Sequence, residues 1–464
     1  MTTRRCLVKN EKKVLTDVWA LRYSGSTMQT PPLRSCAFVA LTLLATRSAS
    51  AQPCAEFWDD ALSTTGADAI VFALHEATVN GQARLYASGA FSSIDAVPAT
   101  RVAQWDGAAW SSLGGVGPNI NPLALGAYDE GAGEMLFMGG AFSSVGATPT
   151  PLIARWDGTT WSSVGGGLTG AAVRAMAVHD DGSGESLFVA GSFTNAGGVT
   201  VSNVARWNGA QWHALGAGLN GIVNALVSHD DGSGAALYAG GDFTHTGDGV
   251  TALNHIAKWD GASWSPVGAG FDDSVFALAS GDVAGATTLV AGGEFLNSGA
   301  APMARVASWN GSSWSALLGG VNATVRAATV ANGGAYFAGD FLKANNETAR
   351  ATVRWDGSAF TAMGTGLSGS GPKVRAITRS TVAGGALVVA GDFDGAGSDT
   401  ADDIARWTLC DGAGPDLTGD GDIDGADLAS LLAAWNAGPG PADFNNDGDV
   451  DGSDLAALLA AWTP

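Results

Sequence analysis

The sequence predicts an all-β fold, a seven-bladed β-propeller of four-stranded antiparallel blades, followed by a small all-α unit of two loop-helix copies. A first Trp recurs as Trp105, Trp156, Trp207, Trp259, Trp309, Trp355 and Trp407, at steps of 46 to 52 residues. That period belongs to propeller blades and exceeds most helical repeats. The Phe of a Gly-x-Phe triplet stands 14 residues before each, or 16 before Trp259: Phe91, Phe142, Phe193, Phe243, Phe295, Phe341 and Phe393. Near the C-terminus, two aspartate-rich loops repeat 27 residues apart.

The chain has 464 residues, 46% hydrophobic and 14% charged, which fits a folded protein. Residues 34–51 carry an Arg, the apolar run 37–45 and then Ala49-Ser50-Ala51, the layout of a secretory signal with a small-residue cleavage site. Residues 1–51 are therefore expected to be a leader and signal peptide, with Met28 as the natural start, and the product to be secreted. The leader holds eight Lys/Arg and two Asp/Glu of the chain's 23 and 44, leaving 15 basic and 42 acidic residues, net −27. Such a surface repels phosphate backbones and anionic lipid, which argues against nucleic-acid and membrane partners.

Within one repeat, Val173–Val178 and Ser186–Gly191 are short apolar runs around the turn His179–Gly184, a hairpin signal. Val204–Trp207 and Trp212–Leu215 flank Asn208-Gly209, read as a tight two-residue hairpin whose residues take positive φ. Each unit is thus four antiparallel strands, and radial packing of such sheets hides most strand edges. Strand four is marked by Trp110, Trp161, Trp212, Trp264, Trp314 and Phe360, but no such residue follows Trp407. Trp58 stands 33 residues before Phe91, within the 27 to 33 found elsewhere, so 57–62 is expected to close blade seven.

The copy Leu237–Phe243 followed by Ala257–Trp264 resembles the kelch-type propeller repeat, with its glycine pair and a later Trp. The resemblance covers roughly 57–409 within an expected propeller of 52–410. Blades one and three lack the full Gly-Gly, and Trp-Asp or Trp-Asn stands for the usual Tyr-Asp.

After a linker at 411–415, the loops 416–427 and 443–454 place oxygen donors at positions 1, 3, 5, 9 and 12, with Gly at position 6. That is the donor pattern a hard cation requires, and two Ca²⁺ are expected. The ligand set is Asp416, Thr418, Asp420, Asp422, Asp424 and Asp427, with Asp443, Asn445, Asp447, Asp449, Asp451 and Asp454. A helix follows each loop, with Leu428, Leu431, Leu432 and Trp435, or Leu455, Leu458, Leu459 and Trp462, as its apolar face. These loop-helix duplicates resemble a type I dockerin over 416–462, in a domain bounded at 416–464. The resemblance implies calcium-dependent docking to a cohesin-like protein, typically in assemblies that degrade polysaccharide. Loop positions 10 and 11, commonly Ser-Thr where cohesin is recognised, are Gly425-Ala426 and Gly452-Ser453 here.

A copper site of the galactose-oxidase kind lacks its Cys, since none lies between Cys54 and Cys410. The six His show no metal spacing. The turns 129–131, 180–182 and 230–232 read as hairpin chemistry, and the strand-four Trp residues as packing. The residue between Gly and Phe is acidic only in blades four to seven: Asp242, Glu294, Asp340 and Asp392. These carboxylates are a candidate ligand site, with structural pairing to Lys258, Arg354 and Arg406 as the competing expectation. The function that follows is a non-catalytic propeller binding a glycan or protein. The alternative is a polysaccharide-active hydrolase or lyase that uses this arc, since a glycosidase needs two carboxyls at a defined separation. Cys54 and Cys410, one residue out of strict register at the two ends of the ring, are expected to form a disulfide.

Overall fold

The computed structural model describes residues 56–59, 62–63, 65–397, 399–409, 417, 425–435, 442 and 450–462. Seven four-stranded antiparallel sheets form the blades. In blade four, Val223–Asp230, Ala235–Gly241, Ile256–Trp259 and Trp264–Pro266 lie side by side in chain order. The first strand of each blade packs on the first strands of both neighbouring blades, and the series closes from blade seven to blade one. Strands two to four therefore run outward from a common axis.

Blade seven is assembled from both ends of the ring. Phe57–Asp59 pairs with Ile404–Thr408, placing Trp58 opposite Trp407. Of the expected closing strand 57–62, Phe57–Asp59 is seen, and residues 60 and 61 lie outside the described residues. Leu62, buried at 2% exposure, belongs to the blade-one core instead, and its carbonyl accepts the Trp110 indole N–H at 2.9 Å.

Sheet-to-sheet packing supplies the core, one apolar cluster per blade interface. Tyr238 and Ala225 of blade four, for example, meet Val275, Leu278 and Phe295 of blade five. The register slips in every first strand at an equivalent place, between Val223 and Ala225 in blade four, and twice more in the long first strand of blade three. The blade-four bulge brings the carbonyl of Ile222 so close to Gly241 that a Cβ there would collide with it. The same collision explains the glycine of the other Gly-x-Phe triplets.

The paired Trp residues are structural. Trp212 lies opposite Trp207 with ring centroids 5.1 Å apart, and its Nε1 donates to the Val164 carbonyl of the preceding blade at 3.3 Å. Trp264 and Trp314 repeat that inter-blade bond to Leu215 and Val267. All three are buried, as the packing reading expects.

Three expectations are corrected. The Asp-Gly and Asn-Gly turns are four-residue loops, because Trp207 pairs with Trp212 and only the Gly takes positive φ (Gly209, 89°). The Asn208 carboxamide accepts from the N–H groups of Ala210 and Gln211 and fills the wider loop. The helices Gly425–Ala433 and Gly452–Ala461 form, with Leu431 and Leu458 fully buried against each other's unit. Leu432 and Leu459, however, are each 53% exposed, and Trp435 is 37% exposed. Adjacent residues sit ~100° apart on a helix, so one short partner covers only one stripe. Finally, no disulfide occurs among the described residues, and both Cys54 and Cys410 lie outside them. The disulfide expectation is withdrawn: strand pairing and the Trp58–Trp407 contact close the ring without it. Among the described residues no helix is long and apolar enough to cross a membrane.

Candidate functional site

Asp242, Glu294, Asp340 and Asp392 occupy one position in consecutive blades, at or just past the end of the second strand and beside the start of the first. They lie at one axial end of the ring, where the bulged residue of each first strand also falls. Those bulged residues are Phe72, Leu123, Arg174, Asn224, Phe276, Arg326 and Arg375. Asp242 accepts from Asn224 Nδ2 at 2.8 Å. Glu294 accepts from Thr324 Oγ1 at 3.1 Å. Asp340 is gripped by Arg326 through Nε at 2.8 Å and Nη2 at 2.6 Å. Arg326 also covers the Phe276 ring, 5.6 Å from its centroid.

Arg375 is the least satisfied member. Its Nε is buried without a hydrogen-bond partner among the described residues. Burial, then the neighbouring Arg326, pulls its guanidinium below the usual arginine range, against the attraction of Asp340 and Asp392. Sequence reasoning found the carboxylates and missed these basic partners. Their signal was present in the Val-x-Ala triplets Val325-Arg326-Ala327 and Val374-Arg375-Ala376.

The expected pairing of the arc with Lys258, Arg354 and Arg406 does not form. Strand register places Lys258 opposite Tyr238, toward the other axial end, where Nζ meets Asp231 at 3.0 Å. Arg406 lies near Asp59, with Nε 3.5 Å from Oδ2, and Arg354 donates to the Asn332 carbonyl. At that second end the acidic turns make a repeated joint. Asp181 holds Arg206 of its own blade at 2.9 Å and accepts the Trp259 indole N–H of the next blade at 3.2 Å. Glu130 likewise bridges Arg155 and Trp207. His179 and His229 link successive blades through Ser228 and Ser280, at 2.9 and 2.8 Å. His75, driven down to about 4 by burial, is neutral at ordinary pH.

Of the expected calcium ligands, Asp427, Asp451 and Asp454 are described, and the other nine lie outside the described residues. Asp427 and Asp454 are fully buried. Asp454 accepts the Asp451 N–H at 2.8 Å, while Asp451 accepts from Ser453 N–H at 2.7 Å, a reciprocal helix cap. No cluster of three metal-binding side chains occurs among the described residues.

The architecture defines a seven-bladed β-propeller with a small C-terminal all-α region. No family model matches the chain, and no curated protein matches it. Among solved structures, the WD40 β-propeller domain of Doa1 is 12% identical, with a TM-score of 0.42, covering 76% of this chain and 97% of that one. BBS1N in complex with ARL6DN gives 12% identity and a TM-score of 0.42, over 76% and 98%. The GH74 enzyme of Niastella koreensis is 14% identical with a TM-score of 0.44, covering 74% of this chain and 55% of that one. Likenesses this distant carry no argument about function, and the blade count rests on the strand pairing itself.

Proposed function

We propose that the chain is a secreted, non-catalytic binding propeller of kelch-like repeats, carried on a dockerin-like module that takes two Ca²⁺. The observation that carries the module is the full burial of Asp427 and Asp454, the twelfth residues of the two loops. Residues 411–464 contain no Lys, Arg or His, and the two loops offer oxygen donors alone. An oxygen-only donor set suits calcium, which would add its positive charge to an otherwise acidic segment. Leu432 and Leu459, exposed at equivalent places in the two copies, offer apolar contact to a cohesin-like partner.

For the propeller, binding fits better than acid–base catalysis because Asp242, Glu294 and Asp340 are each already held by a neighbour. A glycan or protein ligand at that axial end meets a rim of acids, Arg375 and the Phe276 ring. Screening the secreted protein on a glycan array, together with an assay for reducing-end release, tests the reading. Binding without release is expected. Release that Glu294→Gln abolishes would establish the polysaccharide-active alternative in its place.

A further inference from the structure

Three of the seven joints at the second axial end carry an acid; those of blades one, five, six and seven do not, and of these only blades six and seven keep the base, Arg354 and Arg406. In blades two, three and four the second residue of the first hairpin turn is acidic: Glu130, Asp181 and Asp231. Blade seven keeps the basic residue, Arg406, and blade one supplies the matching Trp105, but the turn residue is Val382. The equivalence is geometric as well as sequential. A Cβ on Gly261 would collide with the carbonyl of Asp181, and the nearest atom to a Cβ on Gly107 is the carbonyl oxygen of Val382, at 3.6 Å. The blade-seven turn thus stands about as far from its neighbour as the blade-two turn, where a Cβ on Gly209 would have Glu130 Cα at 3.5 Å.

An open cavity of about 290 Å³ occupies this joint, lined by Leu62, Trp105, Gly107, Val382, Gly384 and Arg406. Its wall is braced. Glu76 of blade one accepts from the Ser380 hydroxyl at 2.6 Å, from the Thr381 hydroxyl and from Val382 N–H at 3.2 Å. The Ser380 hydroxyl in turn accepts from Ala383 N–H at 3.1 Å. Arg406 Nε is buried without a hydrogen-bond partner among the described residues, its nearby anion being Asp59 at 3.5 Å.

We propose that this cavity binds a small carboxylate of the size of one sugar acid. The ligand's carboxylate meets Arg406 beside the Val382 side chain, which packs on the Trp105 cluster at the register position that Asp181 holds in blade three. An arginine fork suits a carboxylate, and an aromatic wall suits the face of a sugar ring. The cavity is near the lower size limit of small-molecule sites, which favours a monosaccharide over a longer chain. The site is separate from the carboxylate arc and does not depend on it.

The test uses the secreted protein with D-galacturonate as probe and D-galactose as the uncharged control, followed by calorimetry and by Trp fluorescence. Galacturonate is expected to bind at least tenfold more tightly than galactose. Val382→Asp places the carboxylate of the other joints into the cavity, and is expected to abolish binding while raising the melting temperature. Arg406→Gln is expected to weaken binding at least tenfold. Equal binding of the two sugars, no binding by the folded wild type, or unchanged affinity in the Val382→Asp protein would each overturn the proposal.

Discussion

Asp403 stands where Asn203 stands in blade three, and the two side chains share one task. Phe193 N–H donates to Asn203 Oδ1 and Phe393 N–H to Asp403 Oδ1, both at 3.2 Å, and both residues hold positive φ. Asn203 uses its amide group to reach the Leu219 carbonyl of the next blade at 2.9 Å, which an ionised carboxylate has no proton to do. Burial, reinforced by Asp392, Asp402 and Asp394, pushes the Asp403 carboxyl up to about 7. The folded chain thus prefers the protonated form. Below about pH 4 both folded and unfolded chains carry that proton, and no penalty arises. Between about pH 4 and 7 only the unfolded chain releases it, so stability falls across that window and levels off above it. Asp403→Asn should stabilise the protein at pH 8 by on the order of 1–3 kcal/mol, the ~1.4 kcal/mol per pH unit being discounted for solvent access. Thermal melts of both proteins should coincide near pH 3.5 and separate by pH 8; equal separation at both would remove the titration argument. No spacing in the sequence marks Asp403 as special, since its shift arises from burial and from acids gathered by folding.

At the scale of the element, the closing strand was legible in the sequence. An unpartnered Trp407 and a Trp58 at the right distance were enough to place an N-terminal strand on blade seven. The burial of Leu62 in the blade-one core, by contrast, is a tertiary choice. Trp58 is 6% exposed, its ring lies 4.9 Å from that of Trp407, and its Nε1 donates to the Met363 carbonyl at 2.9 Å. Trp58→Ala should therefore cost about 3–5 kcal/mol. Because ring closure depends on the same three-residue strand, hydrogen exchange in that variant should quicken first in Ile404–Thr408 and its partner Leu387–Asp392. Uniform acceleration across all seven blades would show that blade seven is not where the ring opens. The turns teach a similar lesson: Asn208-Gly209 announces a hairpin, but loop length follows from the facing of Trp207 and Trp212.

For the whole molecule, the acid balance makes calcium the expected switch of the C-terminal unit alone. Removing the cations leaves an acidic segment with no basic residue, and its aspartates repel one another. Scanning calorimetry of the full chain in calcium should show two transitions, and chelator should abolish the smaller one while leaving the propeller transition in place. An unaltered pair of transitions would remove the calcium proposal. By itself the sequence determined the blade number, the four-strand unit, the closing strand and the two C-terminal helices. Each of these is a matter of period and polarity along the chain, which covalent order carries directly. Tertiary structure alone decided which charges meet. Lys258 lies 16 residues after Asp242 and 27 after Asp231, yet pairs with the more distant acid. Strand register carries its side chain to the opposite axial end of the blade. The cavity at Val382 was hidden for the same reason: it is a gap between two residues more than 270 positions apart, Trp105 and Val382, visible only once the ring has closed.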